Sequence, residues 1–194
     1  MTVIAAIATI DHVVMACDTR YDYSGTGLYA EHGKIGELFT PRGDKVLIAA
    51  TGSGSLLSMV MRNLQLDNGP DPSDATSADE WAAAVADAIT ELLAESKPSG
   101  LAATDGAEHI NGTFLIAWRQ YMWWLYTHTA IRAYGPVLAL GSGCEVALGS
   151  LNTAVRAQMA PEEAVDFAVR LACQHASGCG IDVRGPLIHS TKGD

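Results

Sequence analysis

The first 34 residues, MTVIAAIATIDHVVMACDTRYDYSGTGLYAEHGK, decide the fold. Residues 1–8 form an uncharged, apolar and partly β-branched run, which predicts a buried strand at the very start of the chain. Residues 9–11 predict a turn, and residues 12–17 form a second apolar run that stops at Asp18. The two runs together predict a β-hairpin. Because no basic segment precedes the first run, we expect no signal peptide.

The rest of the chain predicts strands, two helices, strands, two helices and a final strand. Hydrophobic periodicity and turn residues mark these elements. Ser77 and Glu80 have the spacing of a capping box, which places the start of the second helix at Ser77. We expect loops after Arg20 and at 98–108. The predicted strands are 34–39, 45–51, 112–118, 121–128, 137–140 and 181–189, and the predicted helices are 55–66, 77–96, 146–155 and one that starts at Pro161.

Composition favours one globular domain across residues 1–194, because 48% of the residues are hydrophobic and only 18% are charged. The formal net charge of −10 argues against nucleic acid and anionic membranes as partners. Apolar runs are too short to span a bilayer. The expected protein is therefore cytoplasmic and binds neither nucleic acid nor membrane.

The four cysteines, Cys17, Cys144, Cys173 and Cys179, lack the spacing of a secreted disulfide framework and are expected to be free thiols. Cys173, His175 and Cys179 could ligate a metal, but no fourth ligand lies nearby in the sequence. We therefore expect no metal site and no cofactor. Trp118, Trp123 and Trp124 are expected in the core rather than on a cofactor platform.

Thr2 is the first candidate for chemistry. The initiator Met1 is generally removed when a small residue follows, and removal gives Thr2 a free α-amine beside its own hydroxyl. Such an amine has a pKa near about 7.7–8.0, so its neutral fraction can accept the hydroxyl proton. Nucleophile and base then belong to one residue. The alternative is that Thr2 is only a β-forming residue at the head of a strand.

The spacing of Thr2, of Asp18 in the triplet Asp-Thr-Arg, and of Lys34 resembles the proteasome β-subunit family, including the simpler HslV-type peptidases. The resemblance extends over nearly the whole chain. It implies an α+β fold in which two sheets are covered by helices, a four-layer αββα sandwich, whereas the pattern alone permits other α+β folds. It also implies a threonine peptidase whose nucleophile is Thr2.

The resemblance assigns further roles. Lys34 would favour the neutral amine and stabilise negative charge on the threonine oxygen, and Asp18 would hold Lys34 by an ion pair. Gly52 would supply a backbone N–H to the oxyanion, while Ser142 and Ser177 would support the amine. The alternatives are a surface lysine for Lys34, a turn cap for Asp18 and a helix N-cap for Ser142.

Two positions depart from the family pattern. Gln174 stands where the family has an acid three residues before the Ser177-Gly178 pair, so the site would have one negative charge fewer. The pKa of the amine is then expected to be lower. Asp22 stands where the family usually has a small hydroxyl residue that contacts the substrate backbone. We expect this second change to alter substrate preference.

The sequence thus predicts a threonine-type endopeptidase that cleaves polypeptides by acyl transfer to Thr2 and then to water. The resemblance implies a homo-oligomeric ring or stacked double ring, and it admits an ATPase unfoldase as partner. In the family, helical segments 56–61 and 146–155 contact neighbouring subunits, although their own sheets could cover them instead. Two other functions stay open: an inactive ring subunit of the same fold, and an amidase or peptide ligase.

Overall fold

Two antiparallel sheets stack face to face in a computed structural model of the chain, which describes residues 2–23, 26–31, 33–95, 100–104 and 107–193. Met1, and with it the predicted removal of Met1, lies outside the described residues. The strands are β1 (Val3–Ala8), β2 (Val13–Cys17), β3 (Arg20–Tyr23), β4 (Thr26–Tyr29), β5 (Ile35–Phe39), β6 (Lys45–Gly52), β7 (Leu101–Thr104), β8 (Ala107–Ile110), β9 (Gly112–Trp118), β10 (Tyr121–Tyr126), β11 (Thr129–Arg132), β12 (Val137–Gly141) and β13 (Leu187–Ser190). The helices are α1 (Leu56–Asn63), α2 (Ala75–Glu95), α3 (Cys144–Arg156) and α4 (Pro161–His175).

The predicted hairpin forms the middle of the first sheet, whose strand order is β12-β1-β2-β13. Its strands are uncharged and every residue of β2 is buried, as expected for a strand covered on both faces. The second sheet has the order β11-β10-β9-β6-β5. Within it, β6 is the longest strand and ends at Gly52 opposite Gly112 of β9.

Three apolar clusters show how the layers pack. One lies between the sheets and includes Ile4, Met15, Leu47 and Leu115. A second joins α1 and α2 to the outer face of the second sheet. A third joins α3 and α4 to the outer face of the first sheet. The molecule is therefore a four-layer αββα sandwich, which confirms the predicted fold class.

Several local predictions differ from the structure. The segment after Arg20 is a hairpin of β3 and β4 rather than a loop, and the segment predicted as a loop at 98–108 contains the paired strands β7 and β8. Parts of both segments, including Ser24, Gly25 and Pro98, lie outside the described residues. The sequence analysis also did not identify β11, which pairs with β10.

Several element boundaries also need correction: α1 ends at Asn63 rather than 66, and β10 ends at Tyr126 rather than 128. Helix α2 begins at Ala75, two residues earlier than predicted, because the Asp74 carboxylate accepts the Thr76 and Ser77 N–H groups at 3.0 and 3.1 Å. Ser77 is therefore not the capping residue. The final strand begins at Leu187 rather than at 181, since Gly185 has a φ of +87° and Pro186 follows it.

The tryptophans pack as expected of core residues. Trp118 and Trp123 are fully buried, and Trp124 is partly buried against the cluster between the sheets. Trp81 of α2 lies against Trp118 with ring centroids 5.4 Å apart, which fixes α2 on the sheet. Among the helices that the structure describes, none combines the length and apolarity needed to cross a bilayer.

Candidate active site

Thr2 is held in place by the turn that precedes α3. Its backbone N lies 3.3 Å from Ser142 Oγ, and its carbonyl oxygen accepts hydrogen bonds from Gly143 N at 3.3 Å and Ser142 Oγ at 3.4 Å. Gly141 has a φ of +91°, and a Cβ there would collide with the Thr2 carbonyl. Glycine at this position thus allows the close approach that fixes Thr2.

Asp18 both donates a hydrogen bond to Val3 and accepts one from it, and Val3 is the residue that follows Thr2. Its backbone N donates to the Val3 carbonyl at 3.2 Å, and its Oδ1 accepts the Val3 N–H at 2.9 Å. Oδ1 also accepts from Lys34 Nζ at 2.7 Å, and Oδ2 accepts from Gly180 N at 3.1 Å. The carboxylate is completely buried, so these donors replace the water that it loses on folding.

Lys34 lies beside this carboxylate with a side chain that is only 4% exposed. A charged lysine at such a depth needs a counterion, and Asp18 provides it. The ring of Tyr21 lies 5.2 Å from Lys34 Nζ, which adds a cation–π contact. Burial raises the pKa of the Tyr21 phenol, so this ring stays neutral. Lys34 is therefore an interior lysine, not a surface residue.

Cys17 contacts the main chain of Lys34. Its Sγ accepts a hydrogen bond from Lys34 N at 3.2 Å, and burial raises the pKa of this thiol to about 12. The sulfur therefore stays protonated and serves as a structural contact. It fixes the main chain at Lys34, just before β5 begins.

Thr2, Lys34 and Gly52 line one cleft together with Tyr21 and Asp22. Gly52 has a φ of +103°, and a Cβ there would lie 2.5 Å from the Asn111 carbonyl oxygen, so glycine is required. The cleft is thus lined by the Thr2 hydroxyl, the buried Lys34 ammonium and the exposed backbone of Gly52 at the end of β6. This combination can form an ester with an acyl group and stabilise the oxyanion that precedes it.

Ser142 is hydrogen-bonded to Thr2, whereas no hydrogen bond between Ser177 and Thr2 is found among the described residues. Ser177 is exposed in the turn after α4, and within the described residues it makes no hydrogen bond to Thr2, Asp18 or Ser142. Gln174 is exposed as well and lines an outer groove instead of the Thr2 cleft. The side chain that contacts Ser142 belongs to Cys179, whose Sγ lies 3.7 Å from Ser142 Oγ.

Sequence reasoning therefore missed Cys179 and the backbone of Gly180. The sequence offers two similar pairs, because Cys179-Gly180 repeats the small residue and glycine of Ser177-Gly178 two positions later, and it does not distinguish between them. Which pair reaches the site depends on where α4 ends. No group of three or more His, Cys, Asp or Glu side chains in the described part of the chain could hold a metal ion.

Comparisons with known proteins identify the architecture. No protein-family model matches the sequence, and a search of curated proteins finds no match. Solved structures do match. A BPH from Thiobacillus denitrificans, solved in complex with epoxomicin, is 20% identical with a TM-score of 0.74 over 97% of both chains. A eukaryotic HslV from Trypanosoma brucei is 14% identical with a TM-score of 0.65 over 97% of this chain and 98% of that one.

A third similar structure is the Anbu complex from Pseudomonas aeruginosa, described as a helical assembly. It is 16% identical with a TM-score of 0.64 over 97% of this chain and 79% of the other. At such low sequence identity the comparisons show the fold alone, and this fold agrees with the four layers described above. The chain therefore has the fold of the proteasome-type N-terminal nucleophile hydrolases.

Proposed function

We propose that this chain is a threonine-type endopeptidase that becomes active when Met1 is removed. The observation that carries the proposal is the buried ion pair of Lys34 and Asp18 in the wall of a cleft that Thr2 and Gly52 also line. A buried ion pair is costly to desolvate and gives weak stabilisation at best. The presence of Lys34 in the cleft that Thr2 lines supports a role in chemistry rather than in folding.

The proposed reaction has two acyl transfers. Thr2 Oγ attacks the carbonyl carbon of the scissile peptide bond, and its proton passes to the α-amine of Thr2 through a water. Lys34 stabilises the developing negative charge, with Gly52 N–H as the proposed oxyanion donor. The C–N bond then breaks and the leaving amine takes the proton. Water hydrolyses the resulting Thr2 ester and restores the hydroxyl.

Asp18 has a positioning role in this scheme. It holds Lys34 through its side chain and the residue after Thr2 through two hydrogen bonds, so one carboxylate sets the relative positions of nucleophile and ammonium. Gln174 carries no charge and lies outside the cleft. Asp18 is accordingly the one carboxylate that we assign to this network.

The test compares Thr2→Ala and Thr2→Ser in a fluorogenic peptide assay. Thr2→Ala should abolish turnover, and Thr2→Ser should retain a measurable fraction because it keeps both hydroxyl and amine. Epoxomicin, which is in complex with the similar BPH, is a useful probe of the same cleft. An adduct on the Thr2 peptide is expected, and unchanged turnover of Thr2→Ala would refute the assignment.

We further propose that the chain forms a homo-oligomeric ring or stacked double ring. Apolar side chains stay exposed on the outer helices, namely Leu148 and Val155 of α3 and Phe167 of α4. By contrast, Leu56 and Val60 of α1 are covered by the second sheet. Light scattering at micromolar concentration should give a mass several times 20.4 kDa. A stable monomer with peptidase activity would exclude a closed chamber, and co-purification would reveal any ATPase unfoldase.

A further inference from the structure

Cys179 lies at the junction between the Thr2 cleft and an outer groove. Its side chain is 6% exposed, and its Sγ is 3.7 Å from Ser142 Oγ, the atom that contacts the nitrogen of Thr2. The outer groove is lined by Cys179 together with Cys173, Arg170 and Tyr29. Ser142 thus lies between Cys179 and the proposed catalytic amine.

The hydrogen-bond capacity of Ser142 assigns a direction to each contact. A serine hydroxyl has one hydrogen and two acceptor lone pairs. Ser142 Oγ accepts from Thr2 N, and we assign its single hydrogen to the Thr2 carbonyl oxygen, which lies 3.4 Å away. One lone pair then remains for the thiol of Cys179 to donate to. Burial raises the pKa of Cys179, so the thiol keeps its hydrogen at neutral pH.

The main chain fixes Cys179 in this position. Its neighbour Gly180 donates to Asp18 Oδ2 at 3.1 Å and accepts from Thr19 N and Arg20 N, both at 3.0 Å. On the other side, a Cβ on Gly143 would lie 3.0 Å from Cys179 Sγ, so the turn before α3 packs tightly against the sulfur. The surrounding backbone therefore holds Cys179 in contact with Ser142.

We propose that Cys179 is a positioning residue for the N-terminal amine. Its thiol holds the Ser142 hydroxyl in the orientation that accepts a hydrogen bond from the amine and leaves the amine lone pair to take the Thr2 hydroxyl proton. The proposal rests on the proposed function, since it requires Thr2 to be the first residue. In this proposal, the Cys179 thiol takes the role that the family resemblance assigned to the Ser177 hydroxyl.

The size of the effect follows from the exposure of Ser142. Because Ser142 is exposed, water can replace the thiol as its partner, and the loss is one of orientation rather than of a buried hydrogen bond. Without the thiol, the Ser142 hydrogen can turn toward the amine lone pair. That hydrogen bond favours the neutral amine, so the pKa of the amine should fall. The Ser142 hydrogen then occupies the amine lone pair, so fewer molecules have a lone pair free to accept the Thr2 hydroxyl proton.

Other titratable groups lie around Thr2 and Cys179, and they are the same in Cys179→Ala and Cys179→Ser as in the wild type. Asp18 and Lys34 form the ion pair next to it, and Tyr21 and Asp22 line the same cleft. Cys173 lies in the outer groove with Cys179, and burial raises the pKa of the Cys173 thiol to about 12. Since Cys173 makes no hydrogen bond to Ser142 among the described residues, Cys173→Ala is a matched control.

The experiment uses protein that begins at Thr2, prepared as wild type, Cys179→Ala, Cys179→Ser and Cys173→Ala. We expect Cys179→Ala to lower kcat by about threefold to tenfold with KM unchanged. Cys179→Ser should recover most of the loss because it again supplies a donor, and Cys173→Ala should match wild type. Equal losses in Cys179→Ala and Cys179→Ser, or no loss in either, would overturn the proposal.

A second readout does not need turnover. With 13C-labelled threonine methyl groups, the NMR shift of the Thr2 methyl titrates with the amine. Its midpoint should fall in Cys179→Ala and return toward the wild-type value in Cys179→Ser. An unchanged midpoint would refute the positioning role. If wild-type protein has no peptidase activity, the proposed function fails and this titration alone decides the role of Cys179.

Discussion

Replacing Asp18 by asparagine removes the negative half of a buried ion pair while nearly preserving its shape. In Asp18→Asn, the Lys34 ammonium stays in a site where its side chain is 4% exposed and loses a carboxylate oxygen at 2.7 Å. The new amide also turns donors toward Lys34 Nζ or Gly180 N, both of which are donors. Removing one partner of a buried pair costs about 3–5 kcal/mol in the free energy of unfolding.

The cost should appear as a fall in melting temperature. For a chain of this size, each kcal/mol lowers Tm by roughly 2–4 °C, so Asp18→Asn should melt roughly 6–20 °C below wild type. Lys34→Met should cost less, because Asp18 then keeps its hydrogen bonds from Val3 N and Gly180 N. Both variants should lose peptidase activity, Lys34→Met through loss of the oxyanion partner and Asp18→Asn through misplacement of Lys34.

The double variant separates charge from packing. Asp18→Asn with Lys34→Met leaves no uncompensated charge, so it should be more stable than the sum of the two single losses predicts. Differential scanning calorimetry on all four proteins gives this coupling energy. If Asp18→Asn melts within about 2 °C of wild type, or if the losses add, the interior ion pair described here is wrong.

Three further predictions concern single positions. Gly52→Ala should abolish activity and lower Tm because of its φ of +103° and the Asn111 carbonyl, whereas Gly54→Ala, with open space around its Cβ, should keep wild-type stability in the same thermal assay. Gly149→Ala on the exposed side of α3 should raise the free energy of unfolding by about 0.5–1 kcal/mol, and a loss in urea unfolding would argue against α3 there. Cys17, whose pKa is raised to about 12, should resist iodoacetamide at pH 8 until the protein unfolds, and rapid native labelling detected by mass spectrometry would contradict its burial.

The parts of the site that the sequence predicted are those set by local geometry. Asp18 lies beside Val3, the residue after Thr2, because β1 and β2 form a hairpin with a short turn in which Ile4 pairs with Cys17. Lys34 lies immediately before β5 and joins Asp18 through the ion pair between their side chains. Strand periodicity and turn residues predict the hairpin, whereas the grouping of Thr2, Asp18 and Lys34 was predicted from the resemblance to the proteasome β-subunit family.

The missed hairpins had sequence signals of their own. Asp105-Gly106 separates β7 from β8, and Ser24-Gly25 separates β3 from β4. Both dipeptides are typical of short hairpin connections. The strands on either side are short and not fully buried, for example all four residues of β4 are exposed, so they lack the apolar alternation that marks a core strand.

The predicted role of Ser177 is a different case. Whether Ser177 or Cys179 reaches Ser142 depends on how the chain leaves α4 at His175 and returns to Asp18 through Gly180. That path is set by contacts between residues more than 100 positions apart, such as Gly180 with Asp18. No local pattern specifies it, and a shift of two residues exchanges one small side chain for another.

The requirement for a free amine on Thr2 is the central claim, and one comparison tests it most directly. Two preparations of the wild-type chain, one beginning at Met1 and one at Thr2, are assayed with the same peptide, and intact mass spectrometry verifies each N-terminus after the assay. We expect hydrolysis from the chain that begins at Thr2 and none from the chain that keeps Met1. Equal turnover by both preparations, with Met1 still attached in one of them, would contradict the N-terminal nucleophile mechanism.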